Sequence, residues 1–208
     1  MKSLFIMMVS IMFLTHVFGT EFYEGQQYIS LEKSVHNVPQ LLEFFSFYCP
    51  HCYQFEEVYH ISKNINKTLP KGINIVKYHV DFLGELGKEF TQAWAVAVVL
   101  GIEDKMSAAM FSELHKQAIH TIRDIRLLFI KFGVTDEEYD VLWNSVQVKS
   151  LVLKQRQAVS NFQLHGVPAI FVNGKYMIRS DGLDTSSMDA YIRECSEVIR
   201  VLIFKIIS

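Results

Sequence analysis

The sequence is poor in cysteine: only three of its 208 residues are Cys, and only two of these lie close together. A small secreted scaffold held by disulfides needs more cysteines in matched numbers, so this class is excluded. A structural zinc site needs four ligands, usually supplied by two Cys-x-x-Cys pairs. This chain has one such pair and scattered histidines, so metal binding is not expected.

Strong charge of either sign is also missing. The formal net charge is −2, and there is no basic run and no interleaving of basic and aromatic residues. A nucleic-acid-binding surface is therefore not expected. No local pattern indicates a Ser-His-Asp or paired-carboxylate mechanism. Apolar residues, in contrast, make up 50% of the chain, enough for one sizeable core or a core with an inserted subdomain.

The apolar run near the N-terminus is too short to cross a membrane, which takes about 20 residues. It covers residues 4–14, follows Lys2, and precedes Val17 and Gly19 at the −3 and −1 positions of a cleavage site. We predict that residues 1–19 are a cleaved secretory signal, with an uncleaved anchor as the alternative. The rest of the chain would then work in an oxidising compartment.

The two neighbouring cysteines form the tetrapeptide Cys49-Pro50-His51-Cys52. Pro50 fits the first position of a helix, where its missing N–H costs nothing. Cys49 would then cap the helix and face unpaired N–H groups that favour a thiolate, an effect to which a protonated His51 adds. Cys52 lies one turn further and is more enclosed. We predict that Cys49 is the nucleophile, that Cys52 resolves, and that their disulfide is a strong oxidant.

Three strands are predicted before residue 81. Residues 28–31 form a short edge strand, residues 41–47 a strand buried on both faces, and residues 73–80 a strand rich in β-branched and aromatic side chains. Glu43 and Lys77 are charges within these apolar runs. Glu43 either faces solvent or is buried, and the two could pair if both are buried.

A helix is predicted between the second and third of these strands. It begins at Pro50, continues with Val58, Ile61 and Ile65 at helical spacing, and ends at residues 69–72. Strand, helix and strand of these lengths form a βαβ unit.

From residue 82 to residue 161 no strand pattern is present. Apolar faces at helical spacing predict four or five helices, with Thr121 and Thr135 as caps. A helical stretch of this length between two halves of a sheet indicates an inserted helical domain.

Strand patterns return after residue 162. Residues 166–172 and 175–178 are joined by Asn173-Gly174, a strong signal for a type I′ hairpin. The Val167-Pro168 bond is either a trans strand start or a cis bond, and the residues leave both open.

The last predicted helix begins near Thr185 or Ser186. Cys195 lies within its apolar stripe, which favours a buried thiol without a redox role. The tail, residues 201–207, is apolar but too short to span a membrane.

Several segments together resemble the DsbA family of bacterial periplasmic thiol:disulfide interchange proteins. The matching segments are EFFSFYCPHCYQFEE at 43–57, KYHV at 77–80, TQAWAVA at 91–97, GVPA at 166–169 and NGKY at 173–176. The resemblance implies an α/β fold, a thioredoxin fold with an inserted all-helical domain. We expect the thioredoxin-fold domain to comprise residues 20–81 and 162–208, and the helical domain residues 82–161.

The resemblance also implies roles for individual residues. Cys49, Pro50, His51 and Cys52 would be catalytic, with His51 tuning the thiolate. Glu43 and Lys77 would be buried charges beneath the site. Val167 and Pro168 would form a cis bond beside the dithiol and help to hold an extended substrate.

The predicted function is that of a protein dithiol oxidase without a cofactor. Its partners would be reduced, unfolded secreted proteins and a quinone-linked inner-membrane reoxidant of the DsbB type, and the protein would be a periplasmic monomer. The alternatives are a reductase or isomerase with the same chemistry, or a secreted peptide-binding module in which the disulfide is structural.

Overall fold

The computed structural model describes residues 21–205, and its centre is a five-stranded mixed sheet. The strand order is β1-β5-β4-β2-β3, in which β2 and β3 are parallel and the other neighbours are antiparallel. The strands are β1 (Tyr28–Ser30), β2 (Leu41–Phe45), β3 (Val76–His79), β4 (Ala169–Val172) and β5 (Tyr176–Ile178). All five residues of β2 are buried, because β2 has a neighbouring strand on each side and a covered surface on each face.

Eight α-helices accompany the sheet in the described part of the chain. They are α1 (Pro50–Tyr53), α2 (Ile61–Thr68), α3 (Gly87–Leu100), α4 (Glu103–His115), α5 (Ile122–Lys131), α6 (Asp136–Asn144), α7 (Val146–Asn161) and α8 (Met188–Phe204). Helices α3 to α7 follow one another between β3 and β4, which confirms the thioredoxin fold with a helical insertion. The domain boundaries stay a prediction, and the predicted signal peptide lies outside the described residues.

The helix predicted from Pro50 onward is not continuous. After α1 the chain widens into one π-helical turn, Gln54–Val58, and His60 then adopts a left-handed conformation with φ +51° before α2 begins. A π-turn holds more residues than an α-turn, so it rotates the following side chains away from their expected face. The prediction of one helix in which Val58, Ile61 and Ile65 recur at helical spacing is therefore wrong: Val58 is 50% exposed, and the two isoleucines are buried.

Strand β3 is shorter than predicted and lies at an edge of the sheet. Two side chains of the helical insertion satisfy the outward backbone groups of this edge. The indole N–H of Trp94 donates to the carbonyl of Lys77 at 2.9 Å, and the side-chain oxygen of Gln155 accepts from the N–H of His79 at 2.8 Å. The indole N–H and the amide oxygen thus take the places of the N–H and C=O groups of one residue in a further parallel strand. The insertion therefore prevents another strand from pairing with β3 at this position.

The hairpin between β4 and β5 forms as predicted. Asn173 and Gly174 both have positive φ, +55° and +62°, as a type I′ turn requires. The N–H of Lys175 closes the turn on the carbonyl of Val172 at 3.0 Å.

Helix α8 begins two to three residues later than predicted, where the Ser187 side chain accepts from the N–H of Ala190. Cys195 is completely buried among the apolar side chains that α8 and α2 direct towards the sheet, and burial raises its pKa to about 12. This agrees with the predicted structural thiol. Within residues 21–205, no helix has the length and apolarity to cross a membrane.

The hairpin turn gives a stability prediction. We expect Gly174→Ala to lower the free energy of unfolding by clearly more than Gly133→Ala, measured by urea denaturation. Both glycines have positive φ, so each substitution costs about 1–2 kcal/mol in backbone strain. A methyl group at 174 would in addition overlap the carbonyl oxygen of Val35, whereas nothing lies within 4 Å at 133. Equal losses would contradict the packing argument.

Candidate active site

The site begins at a turn between β2 and α1. The N–H of Cys49 donates to the carbonyl of Ser46 at 3.1 Å, which reverses the chain just before the helix. Cys49 then takes an extended conformation at the N-cap and Pro50 is the first helical residue, as predicted. The sequence therefore places a thiol where most helices place a hydroxyl or carboxylate oxygen.

The sulfur of Cys49 acts as the helix cap. It accepts a hydrogen bond from the backbone N–H of Cys52 at 3.1 Å. Cys49 is 7% exposed and Cys52 is completely buried, and the two are not joined by a disulfide here. Only the sulfur of Cys49 is therefore within reach of an incoming group.

A loop of the second half of the core faces the Cys49 sulfur. The Cys49 thiol lies 3.3 Å from the carbonyl oxygen of Val167, to which it donates. The Val167-Pro168 bond is cis, which resolves the alternative that the sequence left open. The structure thus brings together two segments that lie 118 residues apart in the sequence.

The environments of Cys49 and Cys52 shift the pKa values of the two thiols in opposite directions. The pKa of Cys49 is lowered to about 6, first because the Cys52 thiol donates to its sulfur, and further because backbone N–H groups of the first turn do so. The charge of His51 contributes less, since its side chain is exposed. Burial raises the pKa of Cys52 far above its ordinary value. At neutral pH the dithiol form therefore carries its negative charge on Cys49.

The two charged residues of the strands do not pair with each other, contrary to the possibility raised from the sequence. Glu43 is completely buried, but Lys77 forms its salt bridge with Glu56, which lies in the π-turn. Ser62 of α2 connects the two carboxyl groups: its oxygen lies 2.6 Å from Glu43 Oε2 and 2.6 Å from Glu56 Oε1. The π-turn brings Glu56 close enough to Lys77 to replace Glu43 as its partner.

The hydrogen count of this cluster, together with its burial and charges, indicates the protonation state of Glu43. The Ser62 hydroxyl has one proton, yet it makes two short contacts to carboxyl oxygens. One of these contacts therefore uses a carboxyl proton. Burial, followed by the charge of Glu56, raises the pKa of Glu43 to about 8, whereas Lys77 neutralises Glu56. A protonated Glu43 thus donates to Ser62, and Ser62 donates to ionised Glu56.

Three polar residues of this region were missed from the sequence: Glu56, Ser62 and His79. Glu56 lies four positions after Cys52 and was noted only as part of the segment that resembles the DsbA family. His79 was read only as part of a strand, but its Nε2 accepts from the N–H of Phe47, two residues before Cys49. The available signal was a polar residue within an otherwise apolar pattern, which does not identify its partner.

An apolar groove of about 680 Å³ opens beside Cys49. Its walls come from the active-site segment and from α4 with the loop that follows. Its lining includes Tyr48, Pro50, Tyr53, Phe111 and Leu114. In residues 21–205, no three His, Cys, Asp or Glu side chains are close enough to hold a metal ion.

Comparisons with known proteins agree with this geometry. Residues 40–191 match the family model of the DSBA-like thioredoxin domain. The thiol:disulfide interchange protein DsbA of Pectobacterium carotovorum is 52% identical over 99% of this chain and 100% of its own length. The chain belongs to the DsbA family. DsbA of Yersinia pestis is also 52% identical, over 98% of this chain and 99% of its own length.

Solved structures of DsbA relatives have the same fold. A Proteus mirabilis DsbA with one cysteine replaced by serine, solved with a non-covalently bound peptide PWATCDS, superimposes with a TM-score of 0.86. It is 47% identical and covers 89% of this chain and 100% of its own. The chain is thus a disulfide oxidoreductase, a protein dithiol oxidase like its relatives.

The separated acidities of the thiols predict selective alkylation. When the reduced protein is treated with iodoacetamide at pH 7, Cys49 should react first, and Cys52 and Cys195 should stay unmodified. The rate should follow the Cys49 thiolate, with a midpoint near pH 6. Peptide mass mapping measures the sites, and Cys49→Ser is the control without the fast reaction. A midpoint near 9 would contradict the stabilised thiolate.

The protonated carboxyl predicts a pH dependence of stability. In the folded protein Glu43 keeps its proton up to about pH 8, whereas the unfolded chain releases it near 4.5. Between these values the folded state holds more protons, so stability falls as pH rises, by at most about 1.4 kcal/mol per pH unit. Glu43→Gln should flatten this slope in denaturant titrations from pH 5 to 8. An unchanged slope would show that Glu43 is ionised when folded.

Proposed function

We propose that the chain donates its Cys49-Cys52 disulfide to reduced, newly secreted proteins through a mixed disulfide. The observation that carries the proposal is the cap geometry, in which the Cys52 N–H donates to the Cys49 sulfur at 3.1 Å. This contact stabilises the Cys49 thiolate, which is the leaving group when the enzyme is reduced. A stabilised thiolate favours the dithiol form over the disulfide, so electrons flow from the client to the enzyme.

The first half of the reaction forms the mixed disulfide. A client thiolate attacks the Cys49 sulfur, a bond forms between the two sulfurs, and the Cys49-Cys52 bond breaks. Cys52 leaves with the electron pair and takes up a proton, because its buried position disfavours the thiolate. Glu43 and Lys77 are proposed to support this step from beneath the site, Glu43 as a neutral carboxyl group and Lys77 as a charge paired with Glu56. Attack at Cys52 is excluded by its complete burial.

The second half releases the oxidised client. A second client thiolate attacks the client sulfur of the mixed disulfide, and Cys49 leaves as the thiolate that the helix start stabilises. The client has lost two electrons and the enzyme now holds the dithiol. Reoxidation requires an acceptor, for which we propose a quinone-linked inner-membrane protein of the DsbB type. The protein acts without a bound cofactor, as a monomer, in the periplasm, after removal of residues 1–19.

Val167 and Pro168 are proposed as the surface that holds an extended client segment. The carbonyl of Val167 lies 3.3 Å from the Cys49 sulfur, so a client chain beside it is within reach of the disulfide. The peptide in the Proteus mirabilis relative contains one cysteine, which supports binding of a short cysteine-containing segment. A peptide-binding module with a structural disulfide is less well supported, since a structural disulfide needs no stabilised thiolate.

Two cysteine variants test the direction of the reaction. Cys52→Ala, with Cys49 first converted to a mixed disulfide with 2-nitro-5-thiobenzoate, should accumulate a covalent complex with a reduced, unfolded secreted protein. A client thiolate attacks the Cys49 sulfur and 2-nitro-5-thiobenzoate leaves, while the competing attack by Cys52 is removed. Cys49→Ala should form no complex and should lose oxidase activity towards the same protein. Non-reducing gel electrophoresis and mass spectrometry detect the complex. A Cys49→Ala variant that still oxidises the protein would contradict the assignment of the nucleophile.

The reduction potential tests donation against reduction. Equilibration with glutathione should give a potential well above the value of about −270 mV that is typical of a reductase such as thioredoxin. The reason is the stabilised Cys49 thiolate. A potential near that of thioredoxin would refute the donor function and favour the reductase or isomerase alternative.

A further inference from the structure

The turn before Cys49 leaves two backbone N–H groups without a backbone partner within the turn. In the four-residue turn from Ser46 to Cys49, the N–H of Cys49 bonds to the carbonyl of Ser46, and the N–H groups of Phe47 and Tyr48 remain. The N–H of Tyr48 donates to the Ser46 side chain at 3.2 Å. Phe47 is buried, so its N–H needs a partner from outside the turn.

That partner is the imidazole of His79. Its Nε2 accepts from the N–H of Phe47 at 3.2 Å, and the ring stacks on the Phe47 ring with centroids 5.0 Å apart. His79 is completely enclosed, and burial lowers its pKa to about 3, so the ring is neutral. A neutral ring accepts at Nε2 only when its proton is on Nδ1.

The first turn of the helical insertion selects this tautomer. Thr91 Oγ1 lies 2.8 Å from Nδ1 of His79, and the Thr91 hydroxyl donates to the carbonyl of Gly87 at 3.1 Å. Since its proton is committed to Gly87, Thr91 is an acceptor towards His79. The proton is therefore held on Nδ1, and the lone pair of Nε2 is directed at Phe47.

We propose that His79 and Thr91 are positioning residues for Cys49, through which the helical insertion holds the turn that carries the nucleophile. A second contact also connects the insertion to the turn: the N–H of Leu86, just before α3, donates to the hydroxyl of Tyr48 at 3.3 Å. The turn is thus held on both residues that precede Cys49. Its position decides whether the Cys49 sulfur meets the N–H of Cys52.

The first test is a measurement on the unmodified reduced protein, by nitrogen NMR of the histidine rings. We expect His79 to carry its proton on Nδ1, with Nε2 unprotonated, and not to titrate between pH 5 and 8. The Phe47 amide should be strongly protected from hydrogen exchange. A proton on Nε2, or titration of His79 near pH 6, would overturn the proposal.

The second test is the substitution Thr91→Val, which keeps the shape but removes the acceptor for Nδ1. Without it the Nε2–H tautomer becomes accessible and opposes the Phe47 N–H. We expect the pKa of Cys49 to rise by on the order of half a unit to one unit, which lowers the alkylation rate at pH 5 about three- to tenfold. Thr91→Ser restores the hydroxyl and should restore the rate.

Thr135→Val is the matched control, since Thr135 caps α6 by accepting from the N–H of Glu138 and is not part of the contacts to the turn. It should lower stability without changing the Cys49 pKa. A folded Thr91→Val protein with an unchanged pKa would refute the proposal, as would a change in the control of equal size. The inference rests on the proposed function, in which Cys49 is the nucleophile. The NMR result does not depend on catalysis, so the positioning role of His79 and the proposed function can fail separately.

Discussion

The proposed function of this protein depends on one hydrogen bond, from the backbone N–H of Cys52 to the sulfur of Cys49. A helix start leaves N–H groups unpaired, and here a thiolate satisfies one of them in place of an oxygen. The interaction with a charged sulfur exists only in the folded, reduced protein. In the Cys49-Cys52 disulfide the Cys49 sulfur carries no charge. The interaction therefore favours the reduced enzyme and turns a local feature of a helix into a preference for taking electrons from clients.

Three ionisable side chains, Glu43, Glu56 and Lys77, lie beneath this helix, and each has a defined protonation state. Glu43 is neutral and Glu56 is charged, and the single proton of Ser62 connects them. Lys77 compensates the charge of Glu56. Removing one partner from such a cluster leaves a buried group uncompensated, which costs more than the cluster gains in net stability. These residues thus form one unit, and substitutions among them should not be additive.

The helical insertion has two roles that follow from its contacts with the sheet. Trp94 and Gln155 satisfy the outward edge of β3, so the thioredoxin-fold part presents no open strand there with which another chain could pair. The first turn of α3 also orients His79 through Thr91, and His79 holds the turn before the nucleophile. The insertion is therefore connected to the site by polar contacts as well as by apolar packing.

The sequence by itself determined what depends on neighbours along the chain: the helix start at Pro50, the type I′ hairpin and the helical insertion. It also led to the prediction that Cys49 is the nucleophile. These follow from backbone chemistry over a few residues. Only the tertiary structure decided the approach of Val167 to the sulfur, the exposure of Val58 at the end of a π-turn and the pairing of Lys77 with Glu56 instead of Glu43. A hydrophobic pattern shows that a polar residue is unusual, but its partner depends on distances between segments that are brought together only when the chain folds.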